Sequence, residues 1–207
     1  MSGEFLMPVL ALVAGYLLGS ILSAIWICRL FHIDITRTGS GNPGMTNVWR
    51  TLGWKPALPV ALLDAAKGFT AAWIGSALTH SLLWTLLAGV AAVVGHSFSL
   101  FAGFKGGKGV LTGFGAILFL SPVACLSSLT LWLLVLLLTR FVSLSSLAAA
   151  ITLPIFVFLE SRWHGQPGLS PVFGITFVIC AFVIYRHRAN ISRLANGTEP
   201  RFQGKTS

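Results

Sequence analysis

The 207-residue chain is poor in charge, with only 9% of its residues Asp, Glu, Lys or Arg, where an ordinary soluble domain carries about 25%. Beside 55% apolar residues, that scarcity excludes a water-soluble globular protein. Acid is scarcer still: five Asp plus Glu stand against 14 Lys plus Arg, a formal net charge of +9. Long uncharged runs between the basic residues exclude a disordered basic chain as well. Cys28, Cys125 and Cys180 lie in or beside apolar segments and make neither a C-x-x-C nor a Cys/His metal spacing, so they read as free, buried thiols. No G-x-S-x-G elbow supplies a hydrolase nucleophile, and no His or carboxylate spacing resembles a metal site. The N-terminus lacks a basic n-region and the apolar run behind it is too long for a signal-peptide core, so it reads as a retained first span.

What remains is apolar and long. A helix crosses roughly 30 Å of hydrocarbon with about 20 apolar residues, and such runs cover residues 5–28, 56–79, 82–101, 110–139, 142–159 and 169–185. Ser121-Pro122 divides the 110–139 run, and a hairpin there, as two short spans or a re-entrant pair, returns the chain to its starting side. Charge favours the hairpin. It gathers Arg29, Arg37, Arg50, Lys55, Lys105, Lys108, Arg140, Arg186, Arg188, Arg193, Arg201 and Lys205 on one face and leaves only Arg162 on the other, as the positive-inside rule demands. The expected fold is an all-α integral membrane protein, a bundle of about seven transmembrane helices with the N-terminus outside and the C-terminus cytoplasmic. A five-span version with a re-entrant hairpin keeps the same sidedness. With no internal repeat and no long linker, residues 1–207 read as one polytopic membrane domain with cytoplasmic loops 36–55 and 102–112 and a tail at 186–207.

Those three cytoplasmic segments carry the polar chemistry. In RTGSGNPGMTNVWR (37–50), Gly39, Gly41 and Gly44 allow successive N–H groups to point into one concavity, and Ser40, Asn42, Thr46 and Asn47 add side-chain donors. A flexible hydrophilic turn accounts equally well for that loop taken alone. In FKGGKGVLT (104–112), Lys105 and Lys108 stand among Gly106, Gly107 and Gly109 just before an apolar helix, where backbone N–H groups and the positive helix end favour phosphate. Ordinary topology-determining lysines would explain the charges but not the glycines. A nucleotide P-loop is excluded, because Gly109 rather than Ser or Thr follows Lys108 and a membrane helix precedes the loop. In RHRANISRLANGTE (186–199), a helical continuation puts Arg186, Asn190 and Arg193 on one face beside His187; a juxtamembrane basic cluster on anionic lipid is the competing reading.

Two further features lie within spans. Asp64 and Lys67, at i and i+3, are costly at bilayer depth and should face protein or water, either as a mutual ion pair or with Lys67 turned to a phosphate site. His96 ends its span close to the lysine loop, where a packing role competes with a catalytic one. Because nearly all cations sit at one end of the spans, a transfer reaction at the interface fits better than an anion channel or phosphate transporter, and a lipid-binding scaffold fits least.

The segments 39–53, DAAKG (64–68), GHSF (95–98) with FKGGKG (104–109), and 186–199 together resemble the signatures of the bacterial acyl-phosphate:glycerol-3-phosphate acyltransferases, the PlsY family. The similarity runs in order from about residue 12 to residue 200, over four long motifs. One departure is Ser99, where the family usually has proline after His-x-Phe. The resemblance implies a bacterial inner-membrane enzyme that moves a fatty acyl group from acyl phosphate to the 1-hydroxyl of sn-glycerol 3-phosphate, giving lysophosphatidic acid and phosphate. Its partners are then the two substrates, membrane lipids and a soluble enzyme that makes acyl phosphate. No cofactor, no metal and no nucleic acid is expected.

Carried over by position, the resemblance points to Ser40, Asn42, Thr46, Asn47 and Arg50; to His96, Lys105, Gly106, Gly107, Lys108 and Thr112; and to Arg186, His187, Asn190, Arg193 and Glu199. Lys67 joins the substrate-binding set. Within it, Lys105, Lys108 and the glycine N–H groups are assigned to phosphoryl oxygens, Arg50 and Arg193 to the glycerol phosphate, and Ser40 and Asn190 to orienting the acyl phosphate. The expected chemistry is direct attack by the glycerol hydroxyl, with positioning supplying most of the catalysis. The proton goes to the departing phosphate or to His187 or His96.

Overall fold

The computed structural model describes residues 5–202, which contain ten α-helices, one 3-10 turn and no strand. The expectation for residues 203–207 of the tail, Lys205 included, lies outside the described residues. Two compact units divide between Phe119 and Leu120, and each is described by itself.

Unit 1 contains α1 (Leu6–Ser20), α2 (Ser23–Arg29), α3 (Met45–Leu52), α4 (Trp54–Thr79), α5 (Leu82–Ser97), a 3-10 turn (Leu100–Ala102) and α6 (Val110–Leu118). Much of its interior is made of small side chains. Ala11, Ala24, Ala71, Ala72, Ala88, Ala92 and Ala116 are buried, while Leu62, Trp73 and Leu83 are exposed. That inversion suits hydrocarbon solvent, in which helices associate through close packing rather than through withdrawal of leucine from water. α1 rests on α4 and α5, and α4 on α5 and α6. The α4–α6 contact is the tightest kind: a Cβ at Gly68 would overlap the Thr112 carbonyl oxygen, and one at Gly115 would overlap that of Ala65. Each helix thus lays a glycine on the other's backbone.

Unit 2 contains α7 (Pro122–Thr139), α8 (Val142–Trp163), α9 (Pro171–Arg186) and α10 (Arg188–Ala195). α8 packs between α7 and α9, joined to α7 by hydrogen bonds from Trp132 Nε1 to Ser146 Oγ at 3.2 Å and from Ser128 Oγ to the Ala149 carbonyl at 3.3 Å. Pro122 opens α7, where its missing N–H costs nothing. Glu160 closes that helix start, its carboxylate accepting from Ser121 Oγ and the Ala124 N–H at 2.8 and 2.9 Å; a carboxylate there also meets the positive helix end. The outer side chains Leu137 and Leu138 are 76% and 84% exposed, as suits a helix that faces lipid.

The predicted runs recur as Leu6–Arg29, Trp54–Thr79, Leu82–Ala102, Pro122–Thr139 and Val142–Trp163, five helices long and apolar enough to cross a bilayer. The pair Pro171–Arg186 and Arg188–Ala195, bent by 57°, makes a sixth if counted as one span. The 110–139 run is broken as its Ser-Pro predicted, but unequally. α6 has nine residues, about 14 Å at 1.5 Å per residue, too short for a crossing of its own. Cys28, Cys125 and Cys180 are buried and form no disulfide among the described residues.

Candidate active site

The first loop is built around two side chains that bond inward. Asp34 accepts from the Thr36 N–H at 3.0 Å and the Thr36 hydroxyl at 2.6 Å. The Thr36 hydroxyl first, then its N–H, with Arg37 adding its charge, hold the exposed Asp34 carboxyl below the ordinary aspartate range. Asn47, 2% exposed, donates to the Ile35 and Thr38 carbonyls at 3.2 and 2.9 Å and accepts from the Ser40 N–H at 3.1 Å. Asn47 therefore shapes the loop, and Gly39 (φ 61°) and Gly41 (φ 69°) supply the left-handed turns it requires. Ser40 is exposed, and Asn42 and Thr46 are half-buried. α3 buries Val48 against Ala24, Cys28, Ile35, Ala57 and Val60, with Met45, Trp49 and Leu52 packed alongside. Thr46 and Arg50 take their places on this anchored helix.

The second loop hangs from the end of α5. The Tyr16 hydroxyl donates to the Phe98 carbonyl at 2.9 Å. Ser99 has φ −67°, the angle a proline ring would impose, and its hydroxyl donates to the Ser20 carbonyl at 2.6 Å. A hydrogen bond to α1 thus holds this turn. Gly107 N–H donates to the His96 carbonyl at 3.0 Å, and Gly109, in the left-handed region at φ 78°, precedes the first turn of α6. Lys105 is exposed and Lys108 half-buried beside Gly106 and Gly107. Thr112, fully buried, has a hydroxyl without a hydrogen-bond partner among the described residues.

Beneath this loop, Lys67 Nζ lies 2.8 Å from Asp64 Oδ1, forming the ion pair anticipated for α4; it also reaches His96 Nδ1 at 2.8 Å. An apolar cavity of about 630 Å³ is lined by Leu18, Ile21, Ile27, Leu63, Phe101 and Lys67, among others.

In unit 2 the third segment departs from the predicted single helix. α9 ends at Arg186 and α10 starts at Arg188, with His187 at the 57° bend. Arg186 therefore does not share a continuous helix face with Asn190 and Arg193. Its register is lost at His187, whose Nδ1 donates to the Val183 carbonyl at 2.8 Å. Asn190 and Arg193, three apart on α10, instead converge on Glu199. Oε1 accepts from Asn190 Nδ2 and from Ser143 Oγ of α8, both at 2.7 Å, and Oε2 accepts from Arg193 Nε at 2.7 Å. Burial pushes the Glu199 carboxyl up, but the hydrogen bonds from Ser143, Asn190 and Arg193, with the Arg193 charge, outweigh it and hold it below the ordinary glutamate range. The tail from Thr198 to Phe202 is thereby tied back onto α10 and the α7–α8 turn, the Thr198 N–H reaching the Arg193 carbonyl at 2.8 Å and the Phe202 N–H that of Arg140 at 2.5 Å.

Asp34, Ser143 and Glu160 were not singled out from sequence. Asp34 announces itself as Asp-x-Thr, an Asx-turn pattern. Ser143 and Glu160 carry no local signal, because their partners lie 56 and 39 residues away.

A family model described as glycerol-3-phosphate acyltransferase matches residues 9–197. A glycerol-3-phosphate acyltransferase of Synechococcus sp. (strain JA-2-3B'a(2-13)) is 46% identical over 201 residues, covering 97% of each chain. One from Fusobacterium nucleatum is 42% identical over 93% of this chain and 96% of its own. The crystal structure of PlsY (YgiH), an integral membrane glycerol 3-phosphate acyltransferase, in its glycerol 3-phosphate form, superposes with a TM-score of 0.87 at 41% identity. The match covers 95% of this chain and 96% of that one. The same enzyme in a lysophosphatidic acid form gives a TM-score of 0.84 at 40% identity.

Proposed function

This chain belongs to the glycerol-3-phosphate acyltransferase family, and from that membership we propose that it acylates the 1-hydroxyl of sn-glycerol 3-phosphate, with acyl phosphate as the donor. The observation that carries the acceptor and product is full-length similarity to an enzyme known in both glycerol 3-phosphate and lysophosphatidic acid forms. The donor is what the resemblance of the four motif segments implies. The site's inventory of cations, backbone amides and hydroxyls is suited to phosphate headgroups.

In the proposed reaction the glycerol oxygen attacks the acyl carbon, the new ester C–O bond forms and the carbon–oxygen bond to phosphate breaks. Phosphate leaves and takes the hydroxyl proton, so the balance needs no external base. Lys105, Lys108 and the N–H groups of Gly106 and Gly107 hold phosphoryl oxygens, and Thr112 lies on the first turn of the helix beyond them. Arg50 and Arg193 clamp the acceptor, with Arg186 adding positive charge. Ser40, Asn42, Thr46 and Asn190 orient the donor, while Asn47 and Glu199 hold the loop and tail that present them. His187 is an alternative protein base. A carbonyl can only accept, so its bond to Val183 places the ring proton on Nδ1 and leaves Nε2 as the acceptor nitrogen. The apolar cavity beside Lys67 suits the start of an acyl chain. At about 0.8 kcal/mol per methylene, a long chain stays in the leaflet while glycerol phosphate arrives from water. The reaction would then take place at the cytoplasmic face of the bacterial inner membrane, the N-terminus outside and a soluble enzyme supplying acyl phosphate. The one-sided placing of the basic residues supports that orientation.

Purified protein in detergent micelles, given palmitoyl phosphate and glycerol 3-phosphate, is expected to form lysophosphatidic acid and phosphate one for one. Product from acyl-CoA but none from acyl phosphate would overturn the donor. Labelling from outside the cell of a cysteine placed at Lys105 would overturn the sidedness.

A further inference from the structure

Asp64, Lys67 and His96 form a buried polar group inside unit 1, at 2%, 8% and 4% exposure. Charge at such depth is tolerated only when each member is matched. At Lys67 the matching is complete. Its Nζ lies 2.8 Å from Asp64 Oδ1, 2.8 Å from the Ile21 carbonyl oxygen and 2.8 Å from His96 Nδ1, three acceptors for the three N–H bonds of an ammonium. The Ser23 hydroxyl also donates to Asp64 Oδ1, at 3.0 Å. A neutral amine could instead accept a hydrogen bond from an Nδ1–H, but the counter-charge to the buried Asp64 carboxylate would then have to be a cationic ring, whose Nδ1 lies 3.8 Å from Oδ1 where the lysine lies at 2.8 Å. The balanced arrangement is therefore Asp64 anionic, Lys67 cationic and His96 neutral. An imidazole that accepts at Nδ1 carries its proton on Nε2.

The Nε2 edge of that ring lies against the glycine loop. A Cβ at Gly107 would overlap His96 Nε2, and one at Gly106 would overlap the His96 carbonyl oxygen, which itself accepts the Gly107 N–H at 3.0 Å. Ring and carbonyl of one residue thus hold the double-glycine turn, and no larger residue fits at either position without moving them.

We propose that Lys67 is a positioning residue: by donating to Nδ1 it fixes His96 as the neutral Nε2–H tautomer, set against the Gly106–Gly107 turn. His96 then serves the loop as a hydrogen-bond donor, and neither ring nitrogen is available as the reaction's base. Lys67 acts on the bound anion through His96 rather than by touching it, because its three N–H bonds already have acceptors. His187, bonded through Nδ1, carries the opposite tautomer. The effect on catalysis rests on reading 104–112 as a phosphate loop; the tautomer does not.

The test is a long-range proton–nitrogen spectrum of [15N]histidine-labelled wild-type protein in detergent micelles at pH 7, with His96 assigned by its loss in His96→Gln. Protonated Nε2 and bare Nδ1 are expected. A ring protonated on Nδ1, protonated on both nitrogens, or exchanging between tautomers overturns the proposal, and this reading needs no variant to fold. Lys67→Met is expected to lose the single tautomer and about 100-fold in kcat, whereas a variant that keeps the tautomer refutes the role of Lys67. His96→Gln, whose amide N–H can replace Nε2–H, is expected to exceed His96→Ala by about tenfold in kcat/KM for glycerol 3-phosphate; equal losses refute the donor role. Wild-type protein with the expected tautomer but no acyl transfer would instead overturn the function proposed above and leave the placing of Lys67 standing.

Discussion

Removing the Glu199 carboxylate is expected to release α10 and the tail from α8. In Glu199→Ala, the Ser143 hydroxyl and the Asn190 amide, 5% and 6% exposed, stay buried and lose a charged acceptor, at about 1–3 kcal/mol each. The Arg193 side chain is 40% exposed and regains water, so its share is about 0–1 kcal/mol. The total is about 4.5 kcal/mol, equivalent to about a 1,600-fold change in a local opening equilibrium. Amide hydrogen exchange of residues 188–199 in detergent reads that equilibrium directly. Glu199→Gln keeps one acceptor oxygen but opposes an amide to Arg193, and about 1–2 kcal/mol is expected. The pH dependence has a definite sign. The folded carboxyl titrates below the ordinary glutamate value of 4.5, so its contribution is complete above that value and is lost as pH falls through the folded one. Wild-type protection should hold from pH 7 to 5 and decline below 4.5, while that of Glu199→Gln lacks this step. Unchanged exchange at 188–199 in Glu199→Ala would refute the reasoning.

Ser40→Ala is expected to lower kcat by about 100-fold, the range seen when a donor to a developing oxyanion is removed; wild-type turnover would refute the orienting role. Asn190→Ala should show a similar loss together with faster exchange in the tail, because Asn190 also bonds Glu199, and loss without faster exchange would disprove the second half. Gly115→Ala drives a Cβ into the Ala65 carbonyl and should destabilise unit 1 by about 1–3 kcal/mol, visible as a lower thermal midpoint in detergent; an unchanged midpoint would contradict the close α4–α6 contact. Ser99→Pro exchanges a hydrogen bond to Ser20 for a residue already matched to φ −67°. Its net effect should stay within about 1 kcal/mol, and unfolding or loss of acyl transfer would show that the loop depends on that hydroxyl.

The apolar runs were legible because hydrocarbon leaves the backbone one local solution. Each segment must satisfy its own N–H and C=O groups, so helix and approximate bounds follow from the residues within it. The break before Pro122 was legible for the same reason, since proline lacks the N–H that would continue the ladder. The motif loops were legible as chemistry: glycine beside lysine, asparagine beside serine. Their internal geometry was not. Nothing in sequence marked the bend at His187, for no proline or glycine stands there. Nor could sequence show that Asn47 bonds inward while Ser40 is exposed, or that Glu199 binds the very residues expected to face substrate.

Composition and order therefore determined that this protein is helical, lies in a membrane and carries loops rich in glycine, lysine and asparagine. Only the tertiary structure decided which polar groups neutralise one another. Ser20 meets Ser99 across 79 positions, Ser143 meets Glu199 across 56 and Lys67 meets His96 across 29. Such pairs depend on how helices pack, and packing is settled by the small side chains that let backbones touch, not by the polar residues whose partners it selects.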